Sequence, residues 1–347
     1  MATRGGEHPA SAESVTSPTV GLRVAVALAV GVVAGLVAFA VQSRPDAAPD
    51  FIYPWQAARL LIHGINPYTA LPGGLAAPFE APLLYPLPAV LAAVPFAWLA
   101  LPSAVGIFIG LSVFLLAYAV TSRNWNLMPF FASAPLILAV VLGQWSPLLV
   151  AAALVPAGGF LAIAKPNIGL ALTVYRPTRM GVLGSAVFFA ASLLLLPTWP
   201  RDWLHSLILD RQSGTHVAPI TTPLGLILTL ALLRWRRPEA RLLIAMSCVP
   251  QLFFFYDQLP LMLVPSSRRE SYAVIIPSSL AFLVWLIVGH GSVSGPQVAE
   301  WCVMLSIYLP CLIMVLRRPN EGTVPEWMER VAARLRELFR RSPARAT

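Results

Sequence analysis

Charged residues are scarce in this chain. Lys, Arg, Asp and Glu together make up 11% of its 347 residues, and hydrophobic residues make up 57%. Soluble domains average about 25% charged residues. The mean hydropathy is +0.73. This composition excludes an ordinary soluble domain and predicts an all-α polytopic membrane protein, because helices satisfy their own backbone hydrogen bonds in lipid.

Cysteine and the usual signatures of metal and nucleotide sites are also lacking. Cys248, Cys302 and Cys311 all lie in apolar stretches, so neither a disulfide framework nor a cysteine-based metal site is predicted. The histidines lack the spacing of a metal site, and there is no DxD pair, Walker loop, GxSxG motif or dinucleotide fingerprint. We therefore expect no metal and no other cofactor.

Lysine is almost absent too. Lys165 is the only lysine, so the net charge of +9 comes almost wholly from arginine. The arginines flank the apolar runs, which is the topology bias of membrane proteins, and nucleic-acid binding is not expected. We place the arginines of 234–241, Arg268 with Arg269, and the basic segment from Arg317 in the cytoplasm.

The distribution of apolar runs predicts the domain organisation. Residues 1–20 lack apolar periodicity and are expected to be a disordered cytoplasmic tail. The run 22–41 is long enough to cross a hydrocarbon core of roughly 30 Å, and it begins a membrane domain over 21–318. Residues 319–347 are expected to be a basic amphipathic cytoplasmic tail that lies on anionic membrane lipids.

Many later apolar runs are too short to span a membrane alone. Such pieces are typical of broken, tilted or re-entrant helices, and we expect about 10–12 transmembrane or re-entrant helices in all. The first outer loop is predicted at 43–82 and the second at 197–218. The run 83–101 has two interpretations: Arg123 is outside if this run spans, and inside if it lies along the membrane surface.

The first outer loop contains the strongest candidate for a reaction centre. Pro54 can begin a short helix and Gly64 can end it, which predicts an interfacial helix over residues 54–63 with Arg59 and His63 on its polar face. Asp50 directly precedes this helix. Its carboxylate either caps the helix, which is the commoner role at such a position, or stands free as a base.

Further polar residues interrupt apolar runs. Lys165 lies within such a run and is followed by a proline, so it either snorkels from a helix end or meets a phosphate or carboxylate in a cavity. Gln144 needs a hydrogen-bond partner, from a neighbouring helix or from a substrate. Asp257 would place a second carboxylate at the outer interface, and Arg211 lies in the polar second outer loop.

Several short motifs follow one another between about residues 22 and 263. They are Asp50-Phe51-x-Tyr53, Gly64-x-Asn66-Pro67-Tyr68, Tyr85-Pro86, Gly143-Gln144, Lys165-Pro166 and Tyr256-Asp257. Taken in this order, the motifs resemble the GT87 family of GT-C glycosyltransferases. Two of them depart from the family pattern, because Tyr85-Pro86 is followed by Leu87 rather than a second proline, and Gln144 by Trp145 rather than asparagine.

The resemblance implies a GT-C-like bundle in a bacterial inner membrane that transfers a sugar, with mannose expected, from a polyprenyl-phosphate donor to a glycan or glycolipid acceptor on the outer face. In the family pattern the aspartate of the first outer loop is the catalytic base, which corresponds to Asp50. The remaining motif side chains are then expected to bind substrate: Tyr53, Asn66, Tyr68, Tyr85, Gln144, Tyr256 and Asp257.

The chemistry itself needs a base and a cationic group. Asp50 would accept the proton of the acceptor hydroxyl while the anomeric carbon is attacked with inversion. The leaving phosphate needs cations or hydrogen-bond donors, for which the candidates are Lys165, Arg59, His63 and Arg211. A transporter or flippase of a lipid-linked or anionic substrate, and an inactive homologue, are the competing interpretations.

Overall fold

The computed structural model describes residues 19–70, 82–155, 157–211, 216–292 and 295–326, with residues 329, 330, 333, 334 and 337 of the tail. The predicted N-terminal tail and most of the predicted C-terminal amphipathic helix lie outside the described residues. Throughout the described part the regular structure is helical, and no β-strand occurs there. The all-α prediction is confirmed for these residues.

The α-helices are as follows in chain order. They are α1 (Val20–Gln42), α2 (Ile52–Ile62), α3 (Pro67–Ala70), α4 (Leu87–Ala93), α5 (Leu101–Thr121), α6 (Ala134–Val141), α7 (Ser146–Leu154), α8 (Pro166–Tyr175), α9 (Arg179–Leu195), α10 (Trp199–Arg211), α11 (Pro238–Cys248), α12 (Arg268–Val284), α13 (Gly295–Val303) and α14 (Leu309–Arg317). Between them are 3₁₀ segments, of which the longer ones are Trp125–Ala132, Gly158–Ala164, Gly225–Arg234 and Tyr256–Leu263. A π-helical stretch, Met304–Tyr308, joins α13 to α14.

Four helical segments in the described part are long and apolar enough to cross a membrane. They are α1, α5, α12 with the π turn that follows it, and the continuous helix from α13 through α14. Two bent pairs, α6 with α7 at 120° and α9 with α10 at 98°, raise the number to six if each pair is one span. The remaining helices are shorter, since prolines such as Pro135, Pro147 and Pro166 restart the helix after each break. Multi-pass character is thus supported, with fewer complete spans than separate apolar runs.

Close glycine contacts pack α1 against α5. A Cβ atom added to Gly31 would lie 2.8 Å from the carbonyl oxygen of Gly110, and one added to Gly35 would lie 2.8 Å from that of Gly106. Both helices carry the Gly-x-x-x-Gly spacing that lets helix backbones approach closely in a membrane. The later glycine of α1 faces the earlier glycine of α5, so the two helices are antiparallel.

This antiparallel packing places Arg123 at the end of the bundle where α1 begins. The segment 83–101 does not span, because α4 and the 3₁₀ turn Val94–Phe96 that follows it are too short. It does not lie along the bundle surface either, since Leu87 and Val90 are fully buried. Arg123 therefore lies on the same side as the first turn of α1, which is the position that the second interpretation gave it. The segment 83–101 itself is packed inside the bundle.

Hydrogen bonds connect Arg123 to the other basic segments at this end. Arg123 and Arg176 both donate to the carbonyl of Leu154. The neighbouring Asn124 donates to the carbonyl of Ser266, whose hydroxyl accepts from Arg318. We call this the arginine-rich end; the opposite end, which contains the first outer loop, is the Asp50 end.

The predicted second outer loop is mostly a helix. Residues 199–211 form α10, a helix that the sequence analysis did not predict there, while residues 212–215 lie outside the described residues. The helix forms because Trp199 is buried against Phe189 and donates to Ser192. Trp203 also donates to the carbonyl of Leu84 at 2.8 Å, which docks α10 on the segment just after the first outer loop.

Candidate active site

One lysine and two aspartates meet at the Asp50 end. The ammonium nitrogen of Lys165 lies 3.2 Å from Oδ1 of Asp257 and 3.5 Å from Oδ2 of Asp50. It also donates to Oε1 of Gln144 at 3.1 Å, and the hydroxyl of Tyr85 donates to Oδ2 of Asp50. We call these residues the Asp50 cluster. Residues from five separate segments thus form one polar site in an otherwise apolar bundle.

Asp50 does not cap the short helix that follows it. The N-cap of α2 is Phe51, and no side chain caps that position. The expectation that Asp50 is a capping residue is therefore wrong. Its carboxylate instead accepts a hydrogen bond from Tyr85 and pairs with Lys165.

The backbone around Asp50 is held by the Gly143-Gln144 turn. The Asp50 amide donates to the carbonyl of Leu142 at 2.9 Å. Gly143 has a φ of +61°, and a Cβ atom there would lie 2.8 Å from the Cβ of Pro49. Only glycine combines this left-handed conformation with such a close approach. The turn also directs the Gln144 side chain to Lys165, so one motif positions two members of the cluster.

Lys165 lies at a break between two helical segments. It follows the 3₁₀ segment Gly158–Ala164, precedes α8, and has non-helical dihedral angles of −137° and 85°. Its side chain is only 14% exposed and meets two carboxylates. Of the two predicted alternatives, snorkelling and contact with a phosphate or carboxylate in a cavity, a carboxylate contact is present, with two carboxylates of the chain itself. Phosphate binding by Lys165 stays a prediction.

Asp257 is the buried member of the cluster. Its side chain is 2% exposed, and its Oδ2 accepts from the Leu252 amide at 3.0 Å. Phe255, two residues earlier, has a φ of 64°, which is unusual for a non-glycine residue. Such strain persists where the surroundings hold it, and here Phe255 is fully buried against Phe282. The strained turn directs Asp257 inward.

Asp50 differs from Asp257 in exposure. Its side chain is 26% exposed against 2% for Asp257, so Asp50 is the carboxylate that an entering molecule can reach. Burial and then the Asp50 carboxylate raise the pKa of Tyr53 above its usual value. Burial and the neighbouring Asp50 likewise raise the pKa of Tyr85 well above its usual value, so its phenol is protonated and donates to Asp50.

Aromatic rings form the wall behind Asp50. Phe51 stacks on Phe108 with ring centroids 4.1 Å apart, and the fully buried Trp145 lies 4.9 Å from Phe108 and 6.0 Å from Tyr85. Tyr256 provides another surface, since the Lys165 ammonium lies 5.6 Å from the centroid of its ring. This wall excludes water from one side of the cluster and strengthens its charge interactions.

Asn66 and Tyr68 are taken up by contacts within the protein. Asn66 donates to Oδ2 of Asp202 in α10 at 3.0 Å. Tyr68 is buried, and its hydroxyl donates to the carbonyl of Tyr85 at 2.9 Å. Both residues therefore position neighbouring segments. The contact of Tyr68 with the Asp50 cluster is a hydrogen bond to the main chain of Tyr85, and Asn66 contacts Asp202 instead. The prediction that both residues bind substrate stays a prediction.

Two of the predicted phosphate-binding cations lie apart from the cluster. The guanidinium of Arg59 covers the ring of Trp55 at 4.9 Å, and Nδ1 of His63 lies 2.7 Å from the Arg59 carbonyl. Both side chains are exposed on the outer face of α2. The helix predicted at 54–63 is confirmed as Ile52–Ile62, and it ends before Gly64, whose φ is +74°. Arg211 ends α10, and its side chain lies outside the described residues.

A second polar network, which sequence reasoning missed, lies beneath Asp257. Gln258 donates to Oε1 of Gln251 at 2.7 Å, and the hydroxyl of Tyr308 donates to the same oxygen at 3.0 Å. All of these side chains are buried. The available signal was the presence of Gln251 and Gln258 on either side of Asp257 in an apolar stretch. This network fixes the turn that presents Asp257.

The cluster can act as a base but has no excess positive charge, because its carboxylates outnumber its single ammonium group. Two carboxylates surround one ammonium, so an anion placed at Lys165 meets two carboxylates as well. Among the described residues no group of three or more His, Cys, Asp or Glu side chains could hold a metal ion. Comparison with family models, curated proteins and solved structures found no match to this chain.

Proposed function

We propose that this protein is an inverting GT-C-like membrane glycosyltransferase that uses Asp50 as its general base and takes a sugar, with mannose expected, from a polyprenyl-phosphate donor. The observation that carries the proposal is the Asp50 cluster. Asp50, Tyr85, Gln144, Lys165 and Asp257 come from separate motifs of the family resemblance, and they meet at hydrogen-bonding or ion-pair distance.

The proposed step uses the exposure of Asp50. The acceptor hydroxyl gives its proton to the Asp50 carboxylate while its oxygen attacks the anomeric carbon. The bond from that carbon to the phosphate oxygen breaks, and its electron pair leaves with the lipid phosphate. Atoms and charge balance without a metal or another co-reactant.

Lys165 couples the two halves of this step. Before reaction its charge is offset by Asp50 and Asp257. When Asp50 takes up the proton it becomes neutral, and Lys165 then has one carboxylate partner and can stabilise the phosphate on which negative charge builds. Catalysis thereby uses an interaction that strengthens as the transition state is reached.

The orientation of the site is part of the proposal. Arginines gather at the end where α1 begins, and such residues favour the cytoplasmic side. The Asp50 cluster lies at the other end, so it faces outward, where a glycan or glycolipid acceptor is found. The membrane is taken to be a bacterial inner membrane.

A transporter or flippase of an anionic substrate is the second candidate, and one observation favours it. An ionisable lysine held between carboxylates inside a helical bundle is typical of an ion or proton pathway. In that case Lys165 is essential and Asp50 is dispensable. An inactive homologue would tolerate replacement of either residue.

The test is sugar transfer by membranes that contain the full chain. Radiolabelled mannose is supplied on polyprenyl phosphate, and its incorporation into lipid or glycan is measured for the wild type, Asp50→Asn and Asp46→Asn at equal protein levels. Asp46 is the matched control, because it is an exposed carboxylate in the same loop.

We expect Asp50→Asn to lower transfer by about 100-fold or more, as for loss of a general base, and Asp46→Asn to leave it unchanged. Transfer that survives Asp50→Asn excludes the mechanism. If wild-type membranes transfer no mannose, the same assay with other polyprenyl-phosphate sugars separates a wrong sugar from a wrong reaction class.

A further inference from the structure

A basic cavity lies at the arginine-rich end, away from the Asp50 cluster. Its volume is about 1070 Å³. It is bordered by the end of α8, the first half of α9, the start of α11, residues 323–326 and Arg330. The arginines that line it are Arg123, Arg176, Arg179, Arg241 and Arg330, and the one lining carboxylate among the described residues is Glu326.

Two of the guanidinium groups that line the cavity converge on one main-chain carbonyl oxygen. Arg123 donates to the Leu154 carbonyl at 2.6 Å, and Arg176 donates to the same atom at 3.1 Å. A carbonyl group is neutral, so it orients the two guanidinium groups without offsetting the repulsion between their charges. A negatively charged ligand between them would orient both groups and also offset that repulsion.

The neighbouring carboxylates form ion pairs with arginines that do not line the cavity, although the charge of Glu239 also acts on Arg241. Glu239 lies 3.6 Å from Arg237 and 3.8 Å from Arg318, and Glu329 lies 2.9 Å from Arg236. Glu326 lines the cavity but is exposed. The cavity therefore has a net positive charge from the described residues that line it.

Arg241 forms the floor and adds to this charge. It is 7% exposed and donates to main-chain carbonyls, among them that of Arg236 at 2.7 Å and that of Val174 at 3.3 Å. Another wall is the first turn of α9, which Thr178 caps by accepting from the Gly181 amide. The positive end of the helix dipole at this position favours an anion as well.

The cavity also has an apolar side. Val182 and Leu183 of α9 line it, yet they are 54% and 67% exposed. They belong to the apolar outer surface of a helix that would meet lipid. The ligand that fits combines an anionic phosphate, held by the arginines, with acyl chains that lie along α9.

We propose that this cavity binds the headgroup of an anionic phospholipid of the adjacent leaflet. Basic pockets between helices on the cytoplasmic side are suited to such headgroups. The site is separate from the Asp50 cluster, since α8 lies between Lys165 and Arg176 and is about 15 Å long at 1.5 Å per residue. The proposal does not depend on the reaction at the other end.

Native mass spectrometry of the purified full chain in mild detergent tests it. Phosphatidylglycerol, phosphatidylcholine and inorganic phosphate are added separately, and inorganic phosphate is also added as a competitor. The cavity variant is Arg179→Gln with Arg330→Gln, because both residues are exposed and their replacement is not expected to disturb folding. The matched control is Arg268→Gln with Arg269→Gln, which removes the same charge from exposed positions at the same end.

We expect phosphatidylglycerol to bind the wild type and the control, and its affinity for the cavity variant to fall by about tenfold or more, given the strength of hydrogen bonds to charged groups. Phosphatidylcholine should bind no better to the wild type than to the cavity variant. Equal losses in both variants would mean that general surface charge attracts the lipid, which overturns the proposal. Unchanged binding in the cavity variant overturns it too, and displacement by an equal concentration of inorganic phosphate would show a free-phosphate site instead.

Discussion

Gly143 and Pro49 approach so closely that a Cβ atom on Gly143 would lie 2.8 Å from the Cβ of Pro49. Pro49 directly precedes Asp50, whose amide donates to the carbonyl of Leu142 on the other side of the same turn. The Gly143 turn and the first outer loop are therefore one unit. A side chain at position 143 must move the loop that carries Asp50.

Gly143→Ala is expected to reduce sugar transfer by about 100-fold, because a displacement of about 1 Å in a reacting group can have that effect. Gly64→Ala is the matched control. Gly64 also has a left-handed φ of +74°, but no atom lies within 4 Å of a Cβ built there. Each variant loses roughly 1–2 kcal/mol of stability to the left-handed alanine, and Gly143→Ala loses more because of the close contact with Pro49. Transfer is therefore compared at equal amounts of folded protein, and it should fall only in Gly143→Ala. Equal transfer in the two variants would mean that the contact with Pro49 does not position Asp50.

Lys165→Met is expected to destabilise the protein strongly. It leaves Asp257, which is 2% exposed, without its cationic partner. Breaking a buried ion pair by removing one partner costs about 3–5 kcal/mol, measured here as the free energy of unfolding in detergent. Adding Asp257→Asn should recover much of this loss, because the uncompensated buried charge is then gone.

The control for Lys165→Met is Arg236→Met. Arg236 forms an ion pair of 2.9 Å with Glu329, but the two side chains are 34% and 41% exposed. Such a pair contributes about 0–1 kcal/mol. If both replacements cost the same, the Asp50 cluster is not the tight, buried assembly that its geometry indicates.

The members of the Asp50 cluster could be named from the sequence, but their pairings could not. Asp50, Gln144, Lys165 and Asp257 each interrupt or flank an apolar run, which is a local signal. That Lys165 lies between two carboxylates is a contact between distant segments, which local periodicity does not report. For the same reason Asp50 was expected to cap α2. The sequence shows the adjacent helix, but it does not show that Tyr85 is the hydrogen-bond partner of Asp50.

Other features were present in the sequence as patterns that depend on a partner. The Gly-x-x-x-Gly spacing at Gly31 and Gly106 becomes meaningful only when both helices are known to meet. The second outer loop was predicted over 197–218 without a helix in it. It is helical because Trp199 and Trp203 dock on other segments, so tertiary packing decided its structure.

Asn66 and Asp202 should behave as an energetically coupled pair. Nδ2 of Asn66 donates to Oδ2 of Asp202 at 3.0 Å and ties the first outer loop to α10. Residues in one hydrogen bond show interaction energies of about 0.5–3 kcal/mol, so Asn66→Ala, Asp202→Ala and the double variant should give non-additive losses of unfolding free energy. A substrate-binding Asn66 would instead lower transfer with little loss of stability, and the two losses would then add.

The contact between α1 and α5 should depend on Gly35 far more than on Gly21, which lies in the same helix. A Cβ at position 35 would lie 2.8 Å from the carbonyl oxygen of Gly106 and 3.2 Å from the Cα of Gly110. Both are backbone atoms and cannot rotate away, so the helices must separate, and overpacking of this kind costs about 1–3 kcal/mol. Nothing lies within 4 Å of a Cβ at Gly21, where alanine should be neutral or stabilising by up to about 1 kcal/mol because it is the better helix former.

Unfolding of Gly35→Ala and Gly21→Ala in detergent measures this difference directly. Since α1 also leads into the loop that carries Asp50, Gly35→Ala should lower transfer as well, and a Gly35→Ala protein as stable as Gly21→Ala would show that the two helices do not pack through their glycines.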